Sequence, residues 1–140
     1  MNNTQKDYNS ILKLDQLFFE HIRFERKGNS MQSEVKIRFD VKYRRHEKEE
    51  KYRVDLRVLA EKEKDYTLDI CVVGIFSFDT SGELEEKTKE MLISKNTVAI
   101  LMPYIRSEVS IVTAQPGMTP IVLPPFNVNA LLSEGETEKA

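Results

Sequence analysis

Three stretches of this chain alternate apolar and polar residues with little deviation, and they decide its fold class. Val35, Ile37, Phe39, Val41 and Tyr43 are interleaved with Glu34, Lys36, Arg38, Asp40 and Lys42. Tyr52, Val54, Leu56, Val58 and Ala60 repeat the pattern against Arg53, Asp55, Arg57 and Glu61, and a third copy runs from Tyr66 through Leu68, Ile70 and Val72 to Phe76 and Phe78. A period of two places one set of side chains on each face of a strand, so each stretch is a strand with one dry and one wet face. The links at residues 44–51 and 61–65 are short and charged, which makes consecutive strands antiparallel hairpin partners. An earlier strand spans about residues 14–26, with Ile22 and Phe24 inward and His21, Arg23 and Glu25 outward. The link at residues 27–33 is free to cross an end of the sheet. Cys71, Val73 and Ile75 make the second half of the fourth strand apolar on both faces, the pattern of a central strand or of one covered by another chain.

After Thr80-Ser81-Gly82 the period changes. Residues 83–94 read as a charged helix capped by Ser81. Asn96 or Thr97 starts a second helix whose apolar positions include Val98, Leu101, Ile105, Val109 and Val112. Pro103 sits in a first turn of that helix or bends it, and Gln115-Pro116-Gly117 ends it. Residues 118–125 are extended because of Pro120, Pro124 and Pro125. A short helix over about residues 127–132 and a disordered acidic tail at residues 133–140 complete the chain, whose N-terminal residues 1–13 are flexible.

Residues 98–132 hold only two charged groups, Arg106 and Glu108, in a chain that is 31% charged. So much apolar surface in one domain of 140 residues calls for a partner or a ligand to cover it. Acids and bases are interspersed with a net charge of -2, so no nucleic-acid footprint is present. One cysteine, a polar N-terminus and no apolar stretch of bilayer length lead to the expectation of a soluble, cytoplasmic protein without membrane insertion.

Catalytic constellations are missing from the pattern. His46-Glu47 begins like a zinc-protease motif, but no second histidine follows at helical spacing. Cys71 has neither histidine nor a second cysteine near it in sequence and reads as a buried, inert thiol. No glycine-rich phosphate loop exists. The sequence implies no enzyme, no metal and no cofactor. An apolar-ligand module and a purely structural assembly protein stay open as alternatives.

Five segments, in order, resemble the SecB family of bacterial export chaperones. They are Gly74-Ile75-Phe76-Ser77, the run Ile100-Leu101-Met102-Pro103-Tyr104-Ile105-Arg106, Gly117-Met118-Thr119-Pro120, Leu123-Pro124-Pro125-Phe126-Asn127, and Ala130-Leu131. Ile22-Arg23-Phe24-Glu25 and Glu34-Val35-Lys36 are similar to the first two strands of that family, and the resemblance covers about residues 14–132. It implies an α+β fold: a four-stranded antiparallel Greek-key sheet, strand one beside strand four, with a long helix and a short C-terminal helix on one side. It implies a homotetramer, a dimer of dimers, with Leu101, Ile105, Val109, Val112, Cys71 and Val73 as candidate interface residues. It also implies an apolar groove for unfolded or precursor proteins, with Met31, Ile75, Phe76, Phe78, Met118, Leu123, Phe126 and Leu131 as candidate lining. Such a chaperone holds its client without nucleotide, through summed weak contacts. In the family, the motor SecA docks on an acidic patch of the sheet, to which Glu25 and Asp69 correspond. Here His21 stands where the family commonly has aspartate, with Arg23 beside it, and the link at residues 27–33 is short and lacks tryptophan. These departures fit a divergent SecB-like chaperone, including one that protects an antitoxin.

Overall fold

The computed structural model describes residues 11–28, 34–46, 48–79 and 84–123. Four strands, β1 (Leu12–Arg26), β2 (Val35–His46), β3 (Lys51–Lys62) and β4 (Tyr66–Phe78), form one antiparallel sheet in the order β1-β4-β3-β2. One helix, α1 (Glu86–Thr113), packs across β4 and β3. The alternating stretches thus become the strands expected of them, and the fold is the α+β Greek key anticipated. The short helix expected at residues 127–132, the tail and the Ser81 cap lie outside the described residues.

Each strand sends its apolar set to the face under α1. Val54, Leu56, Val58, Ile70, Val72 and Phe76 of the central strands are fully buried there, and Leu101, Ile105 and Val109 of α1 meet them. Gly74 makes that approach possible. A Cβ on it would stand 2.9 Å from the Leu101 side chain and 2.6 Å from the Phe76 ring, too close for either to remain in place.

β1 keeps its apolar residues on this face by irregularity. Its register against β4 slips between Leu14 and Gln16 and again between Phe19 and His21. Each bulge advances the phase by one residue, so Leu12, Leu14, Leu17, Phe19, Ile22 and Phe24 all point the same way although their spacing is not two. Ile22 lies inward, as expected, but stays exposed because β1 is an edge strand beyond the cover of α1.

The link after β1 sets out at the end of the sheet, against the β3–β4 turn. Lys27 and Gly28 both donate backbone N–H groups to the Asp65 carbonyl in the β3–β4 turn, at 2.6 and 3.1 Å. β2 lies at the other end of the strand order.

The two helices expected over residues 83–112 are one. The polar run Ser94-Lys95-Asn96-Thr97 looked like a break because such residues cap helices. Inside α1 their hydroxyls are satisfied by the helix itself: Ser94 Oγ donates to the Met91 carbonyl at 3.2 Å, and Thr97 Oγ1 donates to that of Ile93. Glu85, without a side-chain cap bond, precedes the first turn. Pro103 lies in the interior of α1 on its exposed side, so the carbonyl it leaves unbonded, that of Ala99, faces outward. The helix ends as expected, with Gly117 at φ 76° turning the chain back.

Candidate functional site

α1 is apolar on two sides. Leu101, Ile105 and Val109, at helical spacing, are sealed against the sheet of the same chain. These three were selected as subunit contacts, and the structure places them in the chain's own core instead. Val112 is half-buried at its edge. The outward side carries Tyr104 and Ile111, 47% and 64% exposed, while Ile100 beside them is half-buried and packed against the core. Sequence reasoning missed this second stripe, although the seven-residue step from Tyr104 to Ile111 signals a helix with two apolar faces.

The segment after α1 doubles back along it. Met118 N–H donates to the Gln115 carbonyl at 3.0 Å, closing the turn at Gly117. Arg26 of β1 donates from Nη1 to the Pro116 carbonyl at 2.7 Å. Ile121 N–H then donates to Thr113 Oγ1, and Ser110 Oγ donates to the Ile121 carbonyl, each at 2.8 Å. Arg106 Nε donates to the Leu123 carbonyl at 3.1 Å. Residues 118–123 lie outside regular secondary structure, and side chains of the helix supply these bonds. The result buries Leu123 and leaves Val122 77% exposed.

The proposed groove residues therefore separate. Phe76 and Leu123 are core residues, while Phe78 is half-buried, edge-on to the Tyr52 ring with centroids 5.5 Å apart. Met118 is half-buried in the returning turn, and Ile75 points to the opposite face of the sheet. Met31, Phe126 and Leu131 lie outside the described residues. What the fold leaves in the open is Tyr104 and Ile111 on α1 and Val122 on the returning segment.

The sheet's second face is polar and ion-paired. Asp69 receives Arg57 through two bonds, at 2.8 and 2.7 Å, and His21 Nε2 at 2.8 Å, with Arg23 at 3.7 Å. Hydrogen bonds from Arg57, helped by His21, pull its carboxyl down to about 2. Asp69 is thus an anion already engaged by two guanidinium groups and an imidazole. Glu25 beside it is exposed. A hollow of about 650 Å³ opens here, with Arg23, Lys36 and Arg38 against Glu25, Glu61 and Asp69 around Leu59 and Thr67.

Cys71 and Val73 lie on this same face and are already covered within the chain, Val73 completely. Val73 stands between Phe18 and Asp55 in register, and Arg53 reaches across Phe18 to bond Glu20 at 2.5 Å and Asp55 at 2.8 Å. Glu20, Asp55 and Cys71 bring their ligand atoms within 4.8 Å of one another. Arg53 neutralises both carboxylates, and burial pushes the Cys71 thiol up to about 11, so the trio is an ion-pair anchor with an inert thiol.

A sequence profile described as preprotein translocase subunit SecB matches residues 6–139. An uncharacterized protein of Methanocaldococcus jannaschii is 28% identical over 138 residues, covering 91% of this chain and 86% of its own. Among solved structures, a SecB-like chaperone of Mycobacterium tuberculosis, in complex with a peptide from the antitoxin HigA1, superposes with a TM-score of 0.70. The two are 13% identical over 89% of this chain and 96% of the other, a likeness of fold.

Proposed function

Since this chain belongs to the SecB family, we propose that it is a holdase chaperone that binds segments of non-native polypeptide and keeps them from aggregating without spending nucleotide. The observation that carries this reading is the exposure of large apolar side chains, Tyr104 and Ile111 on α1 and Val122 on the returning segment. Non-native chains expose the same kind of surface, and contact between the two removes both from water. Several weak apolar contacts along one polypeptide add up, which suits clients of unrelated sequence. Members of the family are chaperones rather than enzymes, and no cofactor is needed for such holding.

These exposed side chains also suit self-association. A homotetramer assembled through the outward side of α1 would cover Ile100, Tyr104 and Ile111 and leave Val122 and the returning segment to border a groove. Met118 and Phe78, with Met31, Phe126 and Leu131, complete the proposed lining. Phe76 and Leu123 support it from beneath.

Delivery of clients to a preprotein translocase is the fate the family's description suggests, with the motor SecA as the proposed receiver. One observation favours a dedicated client instead. Asp69, an acidic position of the proposed docking patch, is already engaged by Arg57, His21 and Arg23, which leaves Glu25 as its exposed acid. The likeness of fold to a SecB-like chaperone solved with an antitoxin peptide is compatible with that second reading.

Aggregation of a chemically unfolded test protein, followed by light scattering, tests the proposal. A delay proportional to the amount of chaperone added, without nucleotide, is expected. Aggregation at the unassisted rate under a severalfold excess contradicts it. Co-purification from the host separates the two fates, since the motor or a single small partner comes along.

A further inference from the structure

The polar face of the sheet neutralises its central acids and leaves cations over on β2. Lys36, Arg38, Asp40, Lys42 and Arg44 stand on this face, because Phe39, Val41 and Tyr43 between them pack against the core. Asp69 is held by Arg57 and His21, Glu20 and Asp55 by Arg53, and Asp40 lies 3.5 Å from Arg38. Lys36, Lys42 and Arg44 are exposed, with no ion-pair partner among the described residues. Across from Lys36 in register stands an exposed acid, Glu61. Lys42 and Arg44 lack that compensation. The register partner of Lys42 is Asp55, already bonded by Arg53 at 2.8 Å, and that of Arg44 is Arg53 itself, a second cation.

An uncompensated pair of exposed cations favours an anionic partner. The pattern also selects among anions. A nucleic acid presents charge without interruption and rewards an unbroken row of cations, whereas Asp40 divides this row and the chain as a whole carries a net charge of -2. Lys42 and Arg44 follow each other about 6.8 Å apart along the strand, the spacing of carboxylates at alternate positions of an extended peptide.

We propose that the β2 side of this sheet face docks an acidic polypeptide segment of a partner protein, with its carboxylates against Lys42 and Arg44. The contact is made by side chains that point away from the core and needs no pairing of backbone with β2. It lies across the sheet from α1, so a partner docked here leaves Tyr104 and Ile111 accessible. The inference goes beyond the holding of clients. Aggregation assays depend on the exposed apolar side chains and this docking on the cations of β2, so either can fail alone.

A fluorescent peptide of alternating glutamate and threonine tests it, added to the full-length protein at low ionic strength and followed by anisotropy. Saturable binding is expected, lost in about 0.5 M salt, where screening shortens to roughly 4 Å. Lys42→Glu with Arg44→Glu should weaken it by about tenfold or more. Lys87→Glu with Lys95→Glu makes the same change of charge at exposed positions of α1 and should weaken it less than about threefold. A peptide alternating lysine and threonine should bind the Lys42→Glu, Arg44→Glu protein better than the unaltered one. In the unaltered, isotope-labelled protein the amide signals of residues 41–45 should shift as the acidic peptide is added, a readout that needs no variant. Absence of binding at low salt overturns the proposal, as do equal losses in the two double variants or signal shifts confined to α1. Tighter binding of a single-stranded oligonucleotide of the same charge also overturns it, by making these cations a general polyanion site.

Discussion

Arg106 Nε donates to the carbonyl of Leu123, seventeen residues further on, and so holds the returning segment against α1. The one cation in the charge-poor quarter of the chain, residues 98–132, is spent on a backbone oxygen. Arg106→Met keeps the stem and removes the donor, leaving that carbonyl without its charged partner. The expected cost is about 1–3 kcal/mol, borne by residues 118–123 rather than by the sheet. Hydrogen exchange at the Ile121 amide should accelerate at least tenfold while β3 and β4 amides stay unchanged.

Gly74 and Leu101 are a matched pair. Gly74→Ala forces the added methyl into Leu101 and the Phe76 ring, and should lower stability by about 1–3 kcal/mol in urea unfolding. Adding Leu101→Ala should cost less than the two changes summed, because the smaller side chain makes room for the methyl. Strict additivity would mean that the contact does not carry the effect.

The ion-pair cluster around Asp69 predicts a defined acid response. Its folded carboxyl lies at about 2, below the ordinary value of 3.8, so the deprotonated form is favoured by folding. Its stabilising contribution is complete above about pH 4 and is lost as pH falls toward 2. The size is of order 1 kcal/mol, since the pairs face solvent. Asp69→Asn should remove this part of the acid transition in a series of urea midpoints from pH 5 to pH 2.

The two sides of α1 separate under charge. In the proposed homotetramer, whose light-scattering mass would be four times 16.3 kDa, Tyr104→Glu or Ile111→Glu should leave the chain folded by circular dichroism but lower that mass toward one chain's. Leu101→Glu should unfold the chain itself, since it buries a carboxylate in the core. A folded tetramer in both outward variants would place the interface elsewhere.

Much of this fold is legible in the sequence because a half-buried sheet writes its faces as strict alternation. β2, β3 and β4 stand where Val35, Tyr52 and Tyr66 announced them. β1 was readable only in part, because the bulges at Asp15 and Glu20 shift the phase that alternation relies on. The unbroken helix was hidden by Ser94 and Thr97, whose capping chemistry turns inward to the helix backbone. The candidate site was the least legible. Leu101 and Tyr104 are both apolar, and only the packed chain reveals which one the sheet claims and which remains for a partner. The ion pairs of Asp69 join residues 48 and 12 positions apart, a closeness that only the strand order creates.

The most direct measurement is the affinity for a polypeptide that cannot fold, such as a reduced and alkylated protein carrying a fluorophore, compared with its native form. The account predicts saturable binding of the unfolded form alone, weakened at least tenfold by Val122→Glu in a chain that stays folded. Equal affinity for native and unfolded forms, or no binding of either, would contradict it.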